Sequence, residues 1–106
     1  MLPGIEAALR AAGVVCRRFD AGQVDAFIIE DLPESLRVTG IDGTEGIFVI
    51  AAGAVPGLRI LESGTLFLTD GMELLIHRCA PAVPEPHGNL QRRAAWFQKR
   101  HGSSGP

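Results

Sequence analysis

Three histidines and two cysteines are the residues best suited to metal binding or nucleophilic chemistry. His77 lies in an apolar run, His87 in a proline-rich segment and His101 near the end of the chain. None has a second histidine, cysteine or carboxylate at metal-ligand spacing, so we predict neither a metal site nor a cofactor. Cys16 and Cys79 are expected to be two buried thiols rather than a disulfide.

Acidic residues form two further groups. Asp25, Glu30 and Asp31 have the composition of a nuclease-type cluster, but such sites usually include a nearby lysine, and the only lysine is the distant Lys99. The segment Asp42-Gly43-Thr44-Glu45 offers oxygen donors without the ligand series of a calcium loop. The chain also lacks a Walker-type phosphate loop and a GxSxG nucleophile motif. We therefore predict a protein that is not an enzyme.

Aromatic and basic residues are grouped near the carboxyl end. Trp96 and Phe97 lie close to Arg92 and Arg93, a combination that can stack on nucleic-acid bases. An apolar plug with a charged rim is also how many protein interfaces are built. We take Arg92, Arg93, Trp96 and Phe97 as a candidate subunit interface.

Charge is unevenly distributed along the chain. Residues 1–79 carry eleven acids against six arginines, a net charge of −5, whereas residues 80–106 carry four bases against one acid, a net charge of +3. The acidic body argues against a nucleic-acid-binding surface there. The asymmetry fits self-association, in which the basic tail of one copy reaches a neighbour, and it equally fits a solvated tail without a partner.

The elements that must position these residues are mostly short strands. Thr65–Thr69 and Met72–Arg78 are apolar runs separated only by Asp70-Gly71, a dipeptide that favours the tight turn of a β-hairpin. The second run is apolar on both sides, because Leu75 is out of phase with its apolar neighbours. It is therefore predicted to be a central strand.

The rest of the chain is predicted as layers on this hairpin. A helix over residues 3–12 presents one apolar stripe, and strands begin at about residue 14 and continue to 79. Within that region we predict strands at 14–19, 24–30 and 59–62, a break at Ser63-Gly64, and a second hairpin formed by 36–41 and 47–52 around a mobile tip at 42–46.

Composition and length then define the fold class. Hydrophobic residues make up 46% of the 106 residues, which excludes wholesale disorder, and no apolar run approaches the roughly 18 residues of a membrane span. We predict a single mainly β (α+β) domain over 1–101, a small antiparallel β-barrel or sandwich with a short N-terminal helix. A proline-rich loop covers 80–88, a final segment at 89–100 is helix or strand, and 102–106 form a disordered tail.

The order of these segments resembles the small head–tail joining (head-closure, or stopper) proteins of long-tailed bacteriophages and gene-transfer particles. The residues that carry the resemblance are Phe19-Asp20, Ile47-Phe48-Val49, the turn Val55–Leu58, the strand Thr65–Leu68, Asp70-Gly71 and Pro81.

The resemblance implies a structural virion protein of the head–tail neck, assembled in the bacterial cytoplasm. It implies a ring of subunits between the portal or adaptor and the tail-terminator proteins, through which DNA passes without sequence-specific binding. An acidic body suits a channel that must not hold phosphates. Asp42, Gly43, Thr44 and Glu45 are then a candidate channel or partner loop. No membrane contact is expected. A small intracellular binding module, or a phage-encoded inhibitor of a host protein, is the alternative.

Overall fold

The structure is a computed structural model that describes residues 4–21, 24–82 and 94–100. Six consecutive strands lie between two short helices, as the sequence predicts for a mainly β domain. In chain order they are α1 (Gly4–Ala11), β1 (Val15–Ala21), β2 (Val24–Asp31), β3 (Arg37–Thr39), β4 (Ile47–Ile50), β5 (Leu58–Phe67), β6 (Glu73–Pro81) and α2 (Ala95–Arg100).

The six strands of the described residues form one antiparallel sheet in the order β1-β2-β4-β6-β5-β3. The fold class and the short N-terminal helix are thus confirmed. The predicted hairpin is also confirmed, because β5 and β6 pair across a turn in which the Leu68 amide donates to the Met72 carbonyl at 2.8 Å. Gly71 has a φ of 90°, the left-handed conformation that this turn needs. β6 lies between β4 and β5, so the prediction of a central strand is correct.

The predicted break at Ser63-Gly64 is wrong. β5 runs through both residues, and its irregularity lies instead at Leu61, between Ile60 and Glu62. The bulge changes which face the following side chains occupy. As a result Glu62 shares a face with Arg78, while Ile60 lies on the other face.

The second predicted hairpin is also wrong. β3 pairs with β5 at one edge of the sheet, whereas β4 pairs with β2 and β6 in its interior. The connection over residues 40–46, here called the crossover, therefore passes across β5 and β6. Apolar runs predicted the positions of the strands, although they divided β5 into two, and they carry no information about which strands become neighbours.

The sheet must be curved. Residues 32–36 join β2 to β3, although three other strands separate the two in sheet order. In a flat sheet that separation is roughly 19 Å, because neighbouring strands lie about 4.8 Å apart. The connection includes a turn closed from the Leu36 amide to the Pro33 carbonyl at 3.1 Å, so it is too short for that distance. Curvature brings β3 towards β2 without closing the sheet.

The two sheet faces have separate hydrophobic clusters. On the face covered by both helices, here the helix-covered face, Ile5 and Leu9 of α1 pack over strand residues such as Phe27, Phe48 and Ile76. Ile5 and Leu9 belong to the apolar stripe predicted for this helix, and both are buried. The opposite face holds a smaller cluster, consisting of Ala26, Val49, Ala51, Val55 and Cys79 with half-buried neighbours.

The cysteines do not form a disulfide. Cys16 belongs to the helix-covered cluster and Cys79 to the opposite one, and both are free and buried. Burial raises the pKa of the Cys16 thiol and raises the pKa of the Cys79 thiol to about 11. Both remain protonated and unreactive near neutral pH, as expected for structural thiols.

The final segment is helical at residues 95–100, which resolves the predicted ambiguity for that part. Most of the proline-rich loop, residues 89–93 and the predicted tail at 102–106 lie outside the described residues, together with Arg92 and Arg93. Within the described residues, no helix has the length and apolar character needed to cross a membrane.

Candidate interaction surface

A carboxylate on β5 fixes the crossover to the sheet. Glu62 accepts hydrogen bonds from the Asp42 amide at 3.0 Å and the Gly43 amide at 2.8 Å, and from Arg78 Nε at 2.7 Å. These contacts lower the pKa of Glu62, with the Asp42 amide as the largest cause and the Gly43 amide and Arg78 adding to it, while desolvation opposes the shift. The carboxylate therefore stays ionised well below neutral pH and holds two loop amides.

Arg78 completes this clamp from β6. It also donates from Nη1 to the Glu45 carbonyl at 2.9 Å, so one guanidinium bridges the carboxylate and the loop backbone. The side chains of Arg78 and Glu62 are only 17% and 24% exposed. A Cβ at Gly43 would overlap the Arg78 guanidinium, so a larger residue there would displace this side chain from its place beside Glu62.

The crossover also holds α2. The Thr44 carbonyl accepts a hydrogen bond from the Ala94 amide at 2.8 Å, immediately before the helix begins. The interpretation of residues 42–46 as a mobile hairpin tip is therefore wrong, because this loop is tied to β5, β6 and α2. Of the candidate channel loop, only Asp42 is exposed, and Gly43, Thr44 and Glu45 are partly buried. Contact of this loop with a partner or with DNA stays a prediction.

Trp96 and Phe97 are core residues in this structure. Trp96 is 5% exposed and Phe97 is fully buried. Their rings lie 4.8 Å and 5.2 Å from the ring of Phe48 on β4, centroid to centroid. This corrects the prediction that the pair anchors a subunit interface: α2 packs both rings against Phe48 in the cluster on the helix-covered face. Apolar spacing in residues 94–97 does not distinguish a core plug from a surface anchor.

Ser63 and His77 also form a contact that the sequence analysis did not predict. Ser63 Oγ lies 2.8 Å from His77 Nδ1, because the two residues are register partners on β5 and β6. His77 is 3% exposed, more deeply buried than a half-buried strand residue, and its Nε2 atom makes no hydrogen bond of acceptable geometry. A catalytic dyad needs a third group that orients the ring, and no carboxylate approaches His77 among the described residues.

The acidic residues of β2 do not converge. Asp25 pairs with Arg18 at 2.6 Å and Glu30 pairs with Arg17 at 2.7 Å. Residues 25 and 30 lie on opposite faces of β2, since their positions differ in parity. No group of three or more potential metal ligands occurs among the described residues.

Among the described residues, the exposed large apolar side chains are Val15, Leu61, Met72 and, beside a groove, Leu75. This side chain is 44% exposed and lines a groove of about 230 Å³. The other walls are Ile5 of α1 and residues 50–52, where β4 ends. β4 pairs with β6 only as far as Ile50 and Ile76, so residues 73–75 pair with β5 alone. The out-of-phase position of Leu75 predicts a strand that is apolar on both faces, but the side chain itself is exposed.

No protein-family model, curated protein or solved structure matches this chain.

The clamp gives a testable prediction. Replacing Glu62 by Gln removes the ionised acceptor of three hydrogen bonds, and we expect a loss of about 2 kcal/mol in the free energy of unfolding at pH 7. The pKa of Glu62 is lower in the folded protein, so its stabilising effect is complete above the unfolded pKa and is lost as the pH falls towards the folded pKa. Urea unfolding of wild type and variant should therefore converge at acidic pH.

Glu6→Gln is the matched control. Glu6 accepts from Arg10 at 2.8 Å in an exposed pair on α1, and such pairs contribute well under about 1 kcal/mol. Equal losses for the two variants, or a Glu62→Gln effect that does not change with pH, would contradict the role assigned to the clamp.

Proposed function

We propose that this protein works by assembly, as a structural protein of a bacteriophage head–tail connector. The observation that carries the proposal is the exposed Leu75 beside an apolar groove on an otherwise well-packed domain. A partner side chain that covers Leu75 and the groove would remove this apolar surface from water. The groove lies where β6 lacks a neighbouring strand, so a partner segment can extend the sheet while its side chains fill the groove.

The fixed position of the crossover suits a connector subunit, whose shape must stay constant within the assembled ring. Glu62 and Arg78 fasten the crossover to two strands, and the crossover in turn holds α2. A subunit built this way presents its surfaces in fixed positions, which closed rings require.

The proposal of this particular assembly rests on the order of the sequence segments, which resembles that of head-closure proteins. The acidic body and the basic carboxyl-terminal part supply complementary charge for contacts between one subunit and the next. An acidic body also fits a channel through which DNA passes without being held. In this proposal the groove receives a neighbouring subunit or a portal-side protein.

Self-association and partner binding test the proposal. We expect the full chain to form larger closed species in sedimentation velocity between about 10 µM and 1 mM, the range of weak interfaces, or on mixing with the products of neighbouring genes. Leu75→Asp should reduce this association at least about tenfold, because it places a charge in an apolar contact. Ser35→Asp adds the same charge at an exposed position in the β2–β3 connection and serves as the control.

The same experiment separates the alternative function. A chain that stays monomeric at all concentrations and binds one host protein at fixed stoichiometry would be an inhibitor or binding module, and the connector proposal would be wrong. If Leu75→Asp leaves the association unchanged, the interface does not lie at the groove.

A further inference from the structure

The groove beside Leu75 has room for an apolar occupant. Its walls come from the first turn of α1, the end of β4 and the start of β6, and they are apolar except for the exposed Glu73. A cavity of about 150 Å³ holds a benzene molecule, so a groove of about 230 Å³ can take one or two apolar side chains. Filling it removes these walls from water, which is favourable.

One segment outside the described residues starts next to this groove. Ile5 forms part of the wall and comes one residue after Gly4, where the described chain begins. The preceding residues are Met1-Leu2-Pro3. Three extended residues span up to about 10 Å, so the Leu2 side chain is within reach of the groove. Because proline disfavours the helical conformation at the residue before it, we expect Leu2 to turn away from the axis of α1.

The other segments outside the described residues are less suited to the groove. Residues 83–93 follow β6 after Ala82, roughly 23 Å along the strand from Leu75 at about 3.3 Å per residue. They rejoin the described chain where the crossover holds α2. Residues 22–23 and 101–106 contain no large apolar side chain. The segment that precedes α1 is therefore the best candidate by both distance and chemistry.

We propose that Met1 and Leu2 fold back over the first turn of α1 and that the Leu2 side chain fills the groove. The segment then covers Leu75 in the isolated subunit and lies beside residues 73–75, which pair with β5 alone within the described chain. A partner that uses the groove has to displace the segment, a consequence that rests on the proposed function. Its apparent affinity is reduced by the fraction of time that the groove is free.

Methyl contacts in the wild-type protein test the occupancy. A chain of 106 residues suits NMR with ¹³C-labelled leucine methyl groups, and we expect nuclear Overhauser contacts between Leu2 and Leu75 in the monomeric protein. The absence of these contacts would overturn the proposal. A sample that mixes labelled and unlabelled chains identifies their source. Contacts found only between two chains would mean that a second copy fills the groove, and they would also overturn the proposal.

Association measures the consequence for a partner. Leu2→Ser removes the apolar occupant, and we expect sedimentation velocity to show association at about tenfold lower concentration than for the wild type. That change corresponds to a groove that is free about one-tenth of the time. Leu61→Ser makes the same substitution at an exposed apolar position outside the groove, and it should leave association unchanged. Equal effects of the two variants would contradict displacement of the segment.

The two proposals fail separately. Contacts between Leu2 and Leu75 without association of any variant would support the occupied groove and contradict the connector. Association of the wild type without those contacts would support assembly and contradict the occupant.

Discussion

Replacing Phe97 by Ala is expected to cost about 3–5 kcal/mol of the free energy of unfolding. Phe97 is fully buried between Phe48 and Trp96, and its removal leaves a cavity where α2 meets the sheet. A domain of this size is stable by roughly 5–15 kcal/mol, so the loss is a large fraction of the total. Urea unfolding followed by tryptophan fluorescence measures it directly, because Trp96 is the only tryptophan.

Leu75→Ala is the matched control. It also removes a large apolar side chain, but from an exposed position, so we expect a loss below about 1 kcal/mol. A Trp96→Ala, Phe97→Ala double variant that keeps its stability yet fails to assemble would restore the prediction of surface anchors. The two substitutions thus separate the residues that hold the fold from those proposed to bind a partner.

Gly64→Ala should be the most damaging small substitution. A Cβ at this position would collide with the Thr39 carbonyl oxygen and press against Ile41 Cγ1 at 3.1 Å. The obstacle is backbone at the end of β3, so no side-chain rotation relieves it, and the end of β3 and the start of the crossover must move away from β5. We expect a loss of about 3 kcal/mol or more, measured by thermal or urea unfolding.

Gly53→Ala is the comparison for this substitution. No atom lies within 4 Å of the Cβ that it would add, and Gly53 does not have a positive φ. Its effect should stay within about 0.5 kcal/mol, as for other surface changes. If the two variants lost equal stability, the close approach of the crossover to β5 would be wrong.

The β-bulge at Leu61 determines two polar contacts of the sheet, and the sequence does not indicate it. The bulge at Leu61 shifts Glu62 onto the face of Arg78, and the resulting clamp holds the crossover. Ser63 then faces His77 on the opposite side of the sheet. One added residue in a strand therefore determines both polar contacts, and nothing in the residue types around Leu61 indicates where the bulge falls.

Local signals did predict the elements that depend on local physics. Asp70-Gly71 determined the β5–β6 hairpin, because few other dipeptides adopt that turn, and the spacing of Ile5 and Leu9 determined the buried side of α1. The apolar runs likewise indicated an antiparallel β domain with β6 at its centre.

Strand partners and burial required the tertiary structure. The pairing of β3 with β5, the close approach of the crossover to Gly64 and the burial of Trp96 and Phe97 are all tertiary contacts. A strand exposes the same hydrogen-bonding groups to every potential neighbour, and an apolar side chain is equally suited to a core or an interface. Only the packed three-dimensional arrangement selects between these alternatives, because the deciding contacts join residues far apart in the chain.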